Sequence, residues 1–454
     1  MSETTAPKSV RPRNGDELEL RVDSLAHGGA GVARLDGYVV FVQGAVPGDR
    51  VRARVHKSKR GYAEARAVDL LEPSAERIDP RAPHPGAPWQ VLPYERQLAE
   101  KEQQVRDALT RIGGFEDPPV EPIVRAESQW RYRNKLEYSF GEGDDGELVL
   151  GFHRPGRWDL VDDVTDDILA SERIDALRES VKTWARTQGL SAYDRRDNSG
   201  FLRNLVVREG RRTGDLHVRL VTGAGEFDRE SFVEAAKGAN SIAWTASEGV
   251  AETTRGGTTR RLAGQEFIEE QLCGLRFRIS PEAFFQTNTE MAERLYGLAA
   301  DAASLSGREK VFDLYCGSGT IALTLAGYAG EVWGVEVVES AIADAIENAR
   351  LNGVDNARFY AGDVRTAARP LLDEAGRPDV IVVDPPRAGL SQKIVRRIIE
   401  MESPRIVYVS CNPTTLAPNA RQLVDDGGYE LKRVTPVDMF PQTPHIESLA
   451  LLER

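Results

Sequence analysis

Two short β-branched runs, D-V-I-V-V-D over 379–384 and I-V-Y-V-S-C over 406–411, each break off into a proline-bearing loop, D-P-P-R-A-G-L and C-N-P-T. Apolar runs of this length bounded by turn residues read as strands buried on both faces, and such strands deliver side chains to the carboxyl edge of a parallel sheet. Open α/β sheets bind and react at that edge. The first run ends on Asp384 and the second on Cys411, so a carboxylate and a thiol are expected near one another at strand ends. Cys411 is read as a nucleophile.

The same alternation of strand, loop and helix runs through the rest of the carboxyl-terminal part. V-F-D-L-Y-C-G-S-G-T is a strand ending in a glycine loop, E-V-W-G-V-E ends on Glu336, and A-R-F-Y-A-G-D ends near Asp363, with helical patterns between them. Y-E-L-K-R-V and E-S-L-A-L-L-E are expected to close the sheet as an antiparallel pair. The expected fold class is α/β, a doubly wound domain over 276–454.

Three regions precede it. Residues 1–14 are polar and read as a disordered tail. Residues 15–72 alternate in short runs split by A-H-G-G-A-G and V-P-G-D turns, which predicts a small five-stranded, OB-like barrel of a kind that carries oligonucleotides. Within it Arg50, Arg52, Arg54, Lys57, Lys59 and Arg60 follow one another with no intervening acid near Tyr62, a pattern suited to phosphate contact and base stacking. Residues 73–275 read as a proline-rich linker, a helix from Tyr94 to Ile112 with a G-G stop, a hairpin over 130–152 and a middle α+β domain. Its Trp130, Arg131, Arg133, Lys135 and Arg203 are candidates to line a nucleic-acid cleft.

Composition narrows the classes. A net charge of -12 over 454 residues gives no whole-surface attraction for a polyanion, so any nucleic acid must be held by local basic patches. No run of about eighteen apolar residues and no signal-peptide pattern is present, and a cytoplasmic chain without membrane attachment is expected. Cys273, Cys316 and Cys411 stand far apart, which excludes a disulfide framework or a C-x-x-C zinc site.

Gly317, Gly319 and Ala322 satisfy G-x-G-x-x-A, and Glu336 falls where an acid binds a ribose; alone this permits a nicotinamide dinucleotide. Asp313, just before the glycine loop, would repel a pyrophosphate and welcome an ammonium. Glu336, Asp363 and Asp384 at successive strand ends suit ribose hydroxyls, an exocyclic amine and a cationic centre. S-adenosylmethionine carries all three and no phosphate. Any one of these acids reads equally well as a helix N-cap; four at successive strand ends are harder to explain so.

A methyl donor has a use for a cysteine where the acceptor is C5 of a pyrimidine, a poor nucleophile until a thiolate adds at C6. A base must then remove the C5 proton. Cys411 requires help to ionise, from backbone donors or from a cation such as Arg387.

F-F-Q-T-N at 284–288, D-L-Y-C-G-S-G at 313–319, D-P-P-R-A-G-L at 384–390, S-C-N-P-T-T-L at 410–416 and P-H-I-E at 444–447 together resemble the RNA uracil-C5 methyltransferases that carry an N-terminal TRAM domain. The barrel and L-R-N-L-V-V-R at 202–208 extend the resemblance over nearly the whole chain. It implies Cys411 as nucleophile and Glu447 as the base that takes the C5 proton. Gln286, Tyr315, Glu336, Asp363 and Asp384 would contact S-adenosyl-L-methionine, and Thr320 stands where some members also touch it. The substrate would be RNA, ribosomal rather than transfer RNA on account of the added barrel, and no obligatory protein partner is expected. Many members hold a four-iron cluster on four cysteines. The corresponding stretches here, R-A-P-H-P-G-A-P-W-Q-V-L-P-Y and V-T-D-D-I-L, contain none, so no iron-sulfur cluster is expected and the proline-rich loop is expected to pack in its place. Two other readings stand beside this one. Methylation of cytidine C5 is disfavoured by P-H-I-E in place of a second cysteine, and an RNA-binding protein with a vestigial catalytic domain is disfavoured by intact Cys411 and Glu447. His445 is read as structural.

Overall fold

The structure is a computed structural model that describes residues 11–247, 249, 254 and 256–454. Residues 1–10 of the expected tail lie outside the described residues; at 11–14, the Arg11 guanidinium donates to Ser58 Oγ (3.0 Å) and the Arg13 amide to Asp16 (2.7 Å).

Strands β1 (Glu17–Leu25), β2 (Gly31–Leu35), β3 (Tyr38–Gln43), β4 (Arg50–Ser58) and β5 (Tyr62–Glu72) close into a barrel in the order β1-β2-β3-β5-β4. The two-residue period sends Leu20, Val22, Val40, Val42, Val51, Ala53 and Val55 inward. It sends the β4 cations outward, where each of Arg50, Arg52, Arg54 and Lys57 meets an acid that the sequence along β4 does not contain. Arg50 pairs with Glu19 (3.0 Å) and Glu72 (2.7 Å), Arg52 with Asp69 (2.8 Å), Arg54 with Glu17 (2.7 Å) and Lys57 with Glu64 (2.7 Å). The neutralising acids lie on β1 and β5, the strands on either side of β4, so reading along β4 alone does not reveal them.

After the barrel the proline-bearing stretch is packed, with Ala87, Trp89 and Leu92 buried. His84 meets Asp167 across 3.0 Å with both side chains sealed, and Tyr138 OH donates to the same carboxylate (2.7 Å). The two stretches without cysteines are thus joined by a histidine and an aspartate. Helix α1 (Tyr94–Arg111) buries Val105, Ala108 and Leu109 in one cluster with Phe312, Tyr408 and Leu416. Its packing therefore belongs with the carboxyl-terminal sheet, although its sequence position precedes the middle one.

The middle region forms a seven-stranded sheet in the order β12-β11-β10-β9-β6-β7-β8. Its elements are β6 (Lys135–Glu142), β7 (Leu148–Arg154), β8 (Arg157–Asp163), α2 (Glu172–Thr187), β9 (Leu202–Glu209), β10 (Leu216–Thr222), α3 (Arg229–Ala235), β11 (Ser241–Ala246) and β12 (Thr258–Gly264). Both helices cover one face, burying Ile174, Val181, Trp184 and Phe232. A hairpin, β13 (Ile268–Leu272) with β14 (Leu275–Ile279), spans the expected boundary at 275 and packs into the next core.

That core belongs to the second seven-stranded sheet, ordered β17-β16-β15-β18-β19-β21-β20. The elements are α4 (Thr289–Ala303), β15 (Lys310–Leu314), α5 (Thr320–Ala326), β16 (Glu331–Glu336), α6 (Glu339–Leu351), β17 (Ala357–Ala361), α7 (Val364–Ala375), β18 (Val380–Val383), α8 (Gln392–Glu400), β19 (Arg405–Ser410), α9 (Pro413–Gly427), β20 (Glu430–Val437) and β21 (Glu447–Glu453). Five strands are parallel, and β20 with β21 form the expected antiparallel close. Strand order reverses between β15 and β18, the place where α/β sheets open a crevice for ligands. Among the described residues no helix is long and apolar enough to cross a membrane.

Candidate active site at the carboxyl edge of the sheet

Strands β18, β19 and β21 bring the proposed chemical groups together. Ser410 pairs with Ser448 as the terminal rung between β19 and β21, and the chain continues to Cys411 on one side and Glu447 on the other. Glu447 is buried and Cys411 half-buried. Asn412 fixes the cysteine loop: its Oδ1 accepts from the Thr414 amide (3.0 Å) as N-cap of α9, with Pro413 at the first helical position. Its Nδ2 donates to the Arg387 carbonyl (3.1 Å), tying this loop to D-P-P-R-A-G-L. Sequence reasoning passed over Asn412, although a cap residue before proline was a usable signal.

Electrostatics at this edge are those of crowded, poorly solvated acids. Burial, then the charges of Glu447 and Asp384, push the Cys411 thiol up to about 11, while Arg387 pulls the other way. Burial and Asp384 hold Glu447 well above the usual carboxylate range against the same arginine. Burial raises Asp384 to about 7. Burial, with Asp384 and Glu336 nearby, raises Asp313 to about 8; no side-chain donor among the described residues reaches its sealed carboxylate, which faces the Ala322 amide. Arg387 therefore acts on Cys411 as the sequence implied, but it is outweighed. Such a donor set fits a ligand bearing both an ammonium and a sulfonium.

On the other side of the switch point the glycine loop leaves β15 through Tyr315 at φ +76°, Gly317 at +54° and Gly319 at +83°. A Cβ on Gly319 would stand 3.1 Å from Ala345 Cβ and 3.2 Å from the Phe359 ring, so glycine is needed there for close approach as well as for backbone conformation. Glu336 closes the loop, accepting from the amides of Gly317 (3.3 Å) and Val338 (3.0 Å). Tyr315 lies near Asp363 and Glu336, and burial first, then those acids, raise its phenol to about 12. Asp363 accepts from the Arg365 amide (2.8 Å) as N-cap of α7 and is held low by the Arg365 guanidinium. The cap interpretation of this acid is thus realised in the fold. Gln286 is buried in the F-F-Q-T-N loop, its carbonyl accepting from Asn134 Nδ2 (2.9 Å), and Ser318 Oγ donates to the Phe284 carbonyl (3.5 Å). This loop therefore lies against the glycine loop. The Thr320 hydroxyl is engaged with Tyr296 OH (3.0 Å).

Other regions reach the site as well. Gly29 in the β1–β2 turn, at φ +88°, packs so tightly on Pro444 that a Cβ there would lie 2.8 Å from the proline Cβ. His445 is pushed down to about 4 by burial and then by Arg387, Arg133, Lys101 and His27. Of the middle-domain candidates, Arg133 stacks over Phe440 (5.9 Å) beside His445. Arg131 is paired with Asp166 (3.0 Å), Lys135 with Glu137 (2.5 Å), and Arg203 donates to the Gly249 carbonyl (2.6 Å), while Trp130 lies under Arg81 (5.3 Å). The three cysteines are free thiols, and among the described residues no three His, Cys, Asp or Glu side chains are grouped to hold a metal ion.

Residues 247–454 match the family model described as tRNA (Uracil-5-)-methyltransferase, and residues 11–68 match the TRAM domain. An uncharacterized RNA methyltransferase of Halalkalibacterium halodurans is 40% identical, covering 100% of this chain and 99% of that protein. One from Gloeobacter violaceus is 41% identical over 97% of each. The crystal structure of Pyrococcus abyssi tRNA (uracil-54, C5)-methyltransferase in complex with S-adenosyl-L-homocysteine superposes with a TM-score of 0.77 at 29% identity, covering 96% of this chain and 100% of that one. A barrel ahead of a doubly wound sheet whose switch point gathers acids suited to a sulfonium cofactor, together with whole-length relatives, places the chain in the family of S-adenosylmethionine-dependent RNA uracil-5 methyltransferases that carry a TRAM domain.

Proposed function

We propose that the protein methylates C5 of a uridine in structured RNA through a covalent bond between Cys411 Sγ and C6 of the base. The observation that carries this reading is the Ser410–Ser448 rung, which sets Cys411 and Glu447 side by side with Asp384 on the adjoining strand end.

The target base must leave its stack to reach this edge. Cys411, as thiolate, forms the Sγ–C6 bond, and the electron pair of the C5–C6 double bond moves onto C5 and the C4 carbonyl. S-adenosylmethionine, when bound, would supply the methyl group to which the C5 electron pair bonds, its cationic sulfur keeping the electrons of the S–CH3 bond. Glu447, as carboxylate, then takes the C5 proton; the C5–C6 double bond re-forms and the Sγ–C6 bond breaks, returning the thiolate. Arg387 offsets the negative charge on Sγ. Asp313, Glu336 and Asp384 would hold the cofactor's charged and hydroxyl groups, with Gln286 and Tyr315 against it and Asp363 at the next strand end. A carboxylate in the base position suits uridine rather than cytidine chemistry.

The barrel does not distinguish ribosomal from transfer RNA, because the Pyrococcus enzyme, named for tRNA, matches 96% of this chain. The test supplies in vitro transcribed transfer and ribosomal RNA with labelled methyl donor and identifies nucleosides by mass spectrometry. The reading expects 5-methyluridine in one RNA class and none with Cys411→Ala. A product of 5-methylcytidine, or undiminished product from the variant, overturns it.

A further inference from the structure

The segment between β20 and β21, residues 438–446, has no helix or strand, yet its backbone is held at successive carbonyls by side chains from elsewhere in the chain. Asn288 Nδ2 donates to Met439 O (2.9 Å), Lys101 Nζ to Phe440 O (3.0 Å) and Tyr132 OH to Pro441 O (3.0 Å). Gln97 Nε2 donates to Gln442 Oε1 (2.8 Å), and the Gln442 amide returns a bond to Gln97 Oε1 (2.9 Å). This clamped segment leads directly into Glu447.

Lys101 has the unusual place in this arrangement. It stands on α1 with its side chain sealed from solvent, 2.6 Å from the equally sealed Asp438, under the Trp89 ring at 5.7 Å. Tyr94 OH donates to the other oxygen of Asp438 (2.8 Å). Stability is a poor explanation for such a pair, because desolvation cancels much of its attraction and apolar residues of similar size commonly replace one without loss. An apolar residue lacks the second bond: the same ammonium that neutralises Asp438 at the start of the segment also fixes the Phe440 carbonyl in its middle. Asp438 follows Val437, which pairs with Glu447 in the β20–β21 ladder, so both ends of the segment are registered to the same rung.

We infer that Lys101 is a positioning residue for the proton-abstraction step, holding residues 438–446 from α1 so that the Glu447 carboxylate is aimed at C5 of the base. This rests on the assignment of Glu447 as the base. Phe440 carries the ring that faces His445 and Arg133, so the same bond also sets that wall of the site. A misaimed base stalls the reaction after methyl transfer and before elimination, leaving RNA joined to Cys411 with its C5 methylated.

The test compares Lys101→Met, Lys101→Met with Asp438→Asn, and Glu447→Gln. It uses transcribed transfer and ribosomal RNA with labelled S-adenosylmethionine, and follows product, melting temperature and labelled protein–RNA adduct on denaturing gels. The double variant removes both charges and leaves Tyr94 an acceptor, which keeps the fold. It is expected to melt within about 3 °C of the parent, keep its RNA KM within about threefold, lose roughly 100-fold in turnover and accumulate methylated adduct as Glu447→Gln does. Turnover at the parent rate, or lost turnover without adduct while Glu447→Gln accumulates it, overturns the inference. So does a double variant that loses its fold rather than its rate. Ordinary turnover by Glu447→Gln overturns the assignment beneath it instead.

Discussion

Ser410 and Ser448 form the last rung between β19 and β21, and one residue beyond it the thiol of Cys411 and the carboxyl of Glu447 share one poorly solvated corner. Burial raises the affinity of both for a proton, Asp384 adds to both, and Glu447 adds to that of Cys411. In the proposed mechanism both groups must give up that proton, and Arg387 is the cation that favours its loss from each.

The first consequence is a pH profile. In the proposed mechanism both groups act deprotonated and both are shifted upward, so kcat/KM should rise with pH through 7 and 8 rather than fall. Arg387→Met removes the opposing charge and should move the rising limb up by about one unit. A profile that is flat from pH 6 to 9 would contradict this.

Cofactor charge should be read out as proton release. Asp384 at about 7 and Asp313 at about 8 are partly protonated near pH 7.5 and should ionise when a cation arrives. Calorimetry in buffers of differing ionisation heat should find that S-adenosylmethionine releases roughly half a proton more than S-adenosylhomocysteine, whose sulfur is neutral. Equal release from the two would argue against these acids facing the sulfonium.

Asp313 makes a stability prediction of definite sign. Its folded value is about 8 against an ordinary 3.8, so the folded chain retains a proton that the unfolded chain sheds. The contribution to stability is complete below about pH 4 and is lost as pH rises through 8. Asp313→Asn should abolish that slope, stabilise the cofactor-free protein at pH 8 by about 1–3 kcal/mol, and weaken S-adenosylmethionine binding. Thermal melts from pH 5 to 8, with and without cofactor, test this; a variant less stable at pH 8 would contradict it.

The barrel gives contrasting expectations for two of its parts. Arg52 and Arg54 are already paired with Asp69 and Glu17, so replacing either by Gln should alter RNA affinity by less than about threefold. Gly29→Ala places a methyl group against Pro444 at a backbone conformation L residues rarely adopt, a strain of about 1–3 kcal/mol, and should lower methylation while the barrel stays folded. Filter binding and initial rates distinguish the two; a large loss from Arg52→Gln would restore the stripe as an RNA track.

The parts of this fold that could be read from the sequence are those whose signal lies within one segment. Asp384 and Cys411 stand at the ends of their own apolar runs, and inward alternation marks the barrel strands. What escaped depends on partners elsewhere. The Arg50 stripe looked unopposed because Glu19 and Glu72 belong to other strands. Lys101 reads as a solvated helix residue until Asp438, 337 positions on, closes over it. Helix α1 was legible as a helix ending at a G-G stop, but not which sheet would cover it. Asp363 was legible both as a strand-end acid and as an N-cap, and local sequence carries no term that separates the two.

The central claim is the covalent bond from Cys411 to the base. In the proposed mechanism Glu447 removes the C5 proton, which RNA carrying 5-fluorouridine in place of uridine lacks, so elimination is blocked after methyl transfer. Incubated with S-adenosylmethionine, the parent protein should form an RNA adduct that survives a denaturing gel, and Cys411→Ala should form none. An adduct of equal yield from Cys411→Ala, or no adduct from a parent protein that methylates ordinary RNA, would contradict the account.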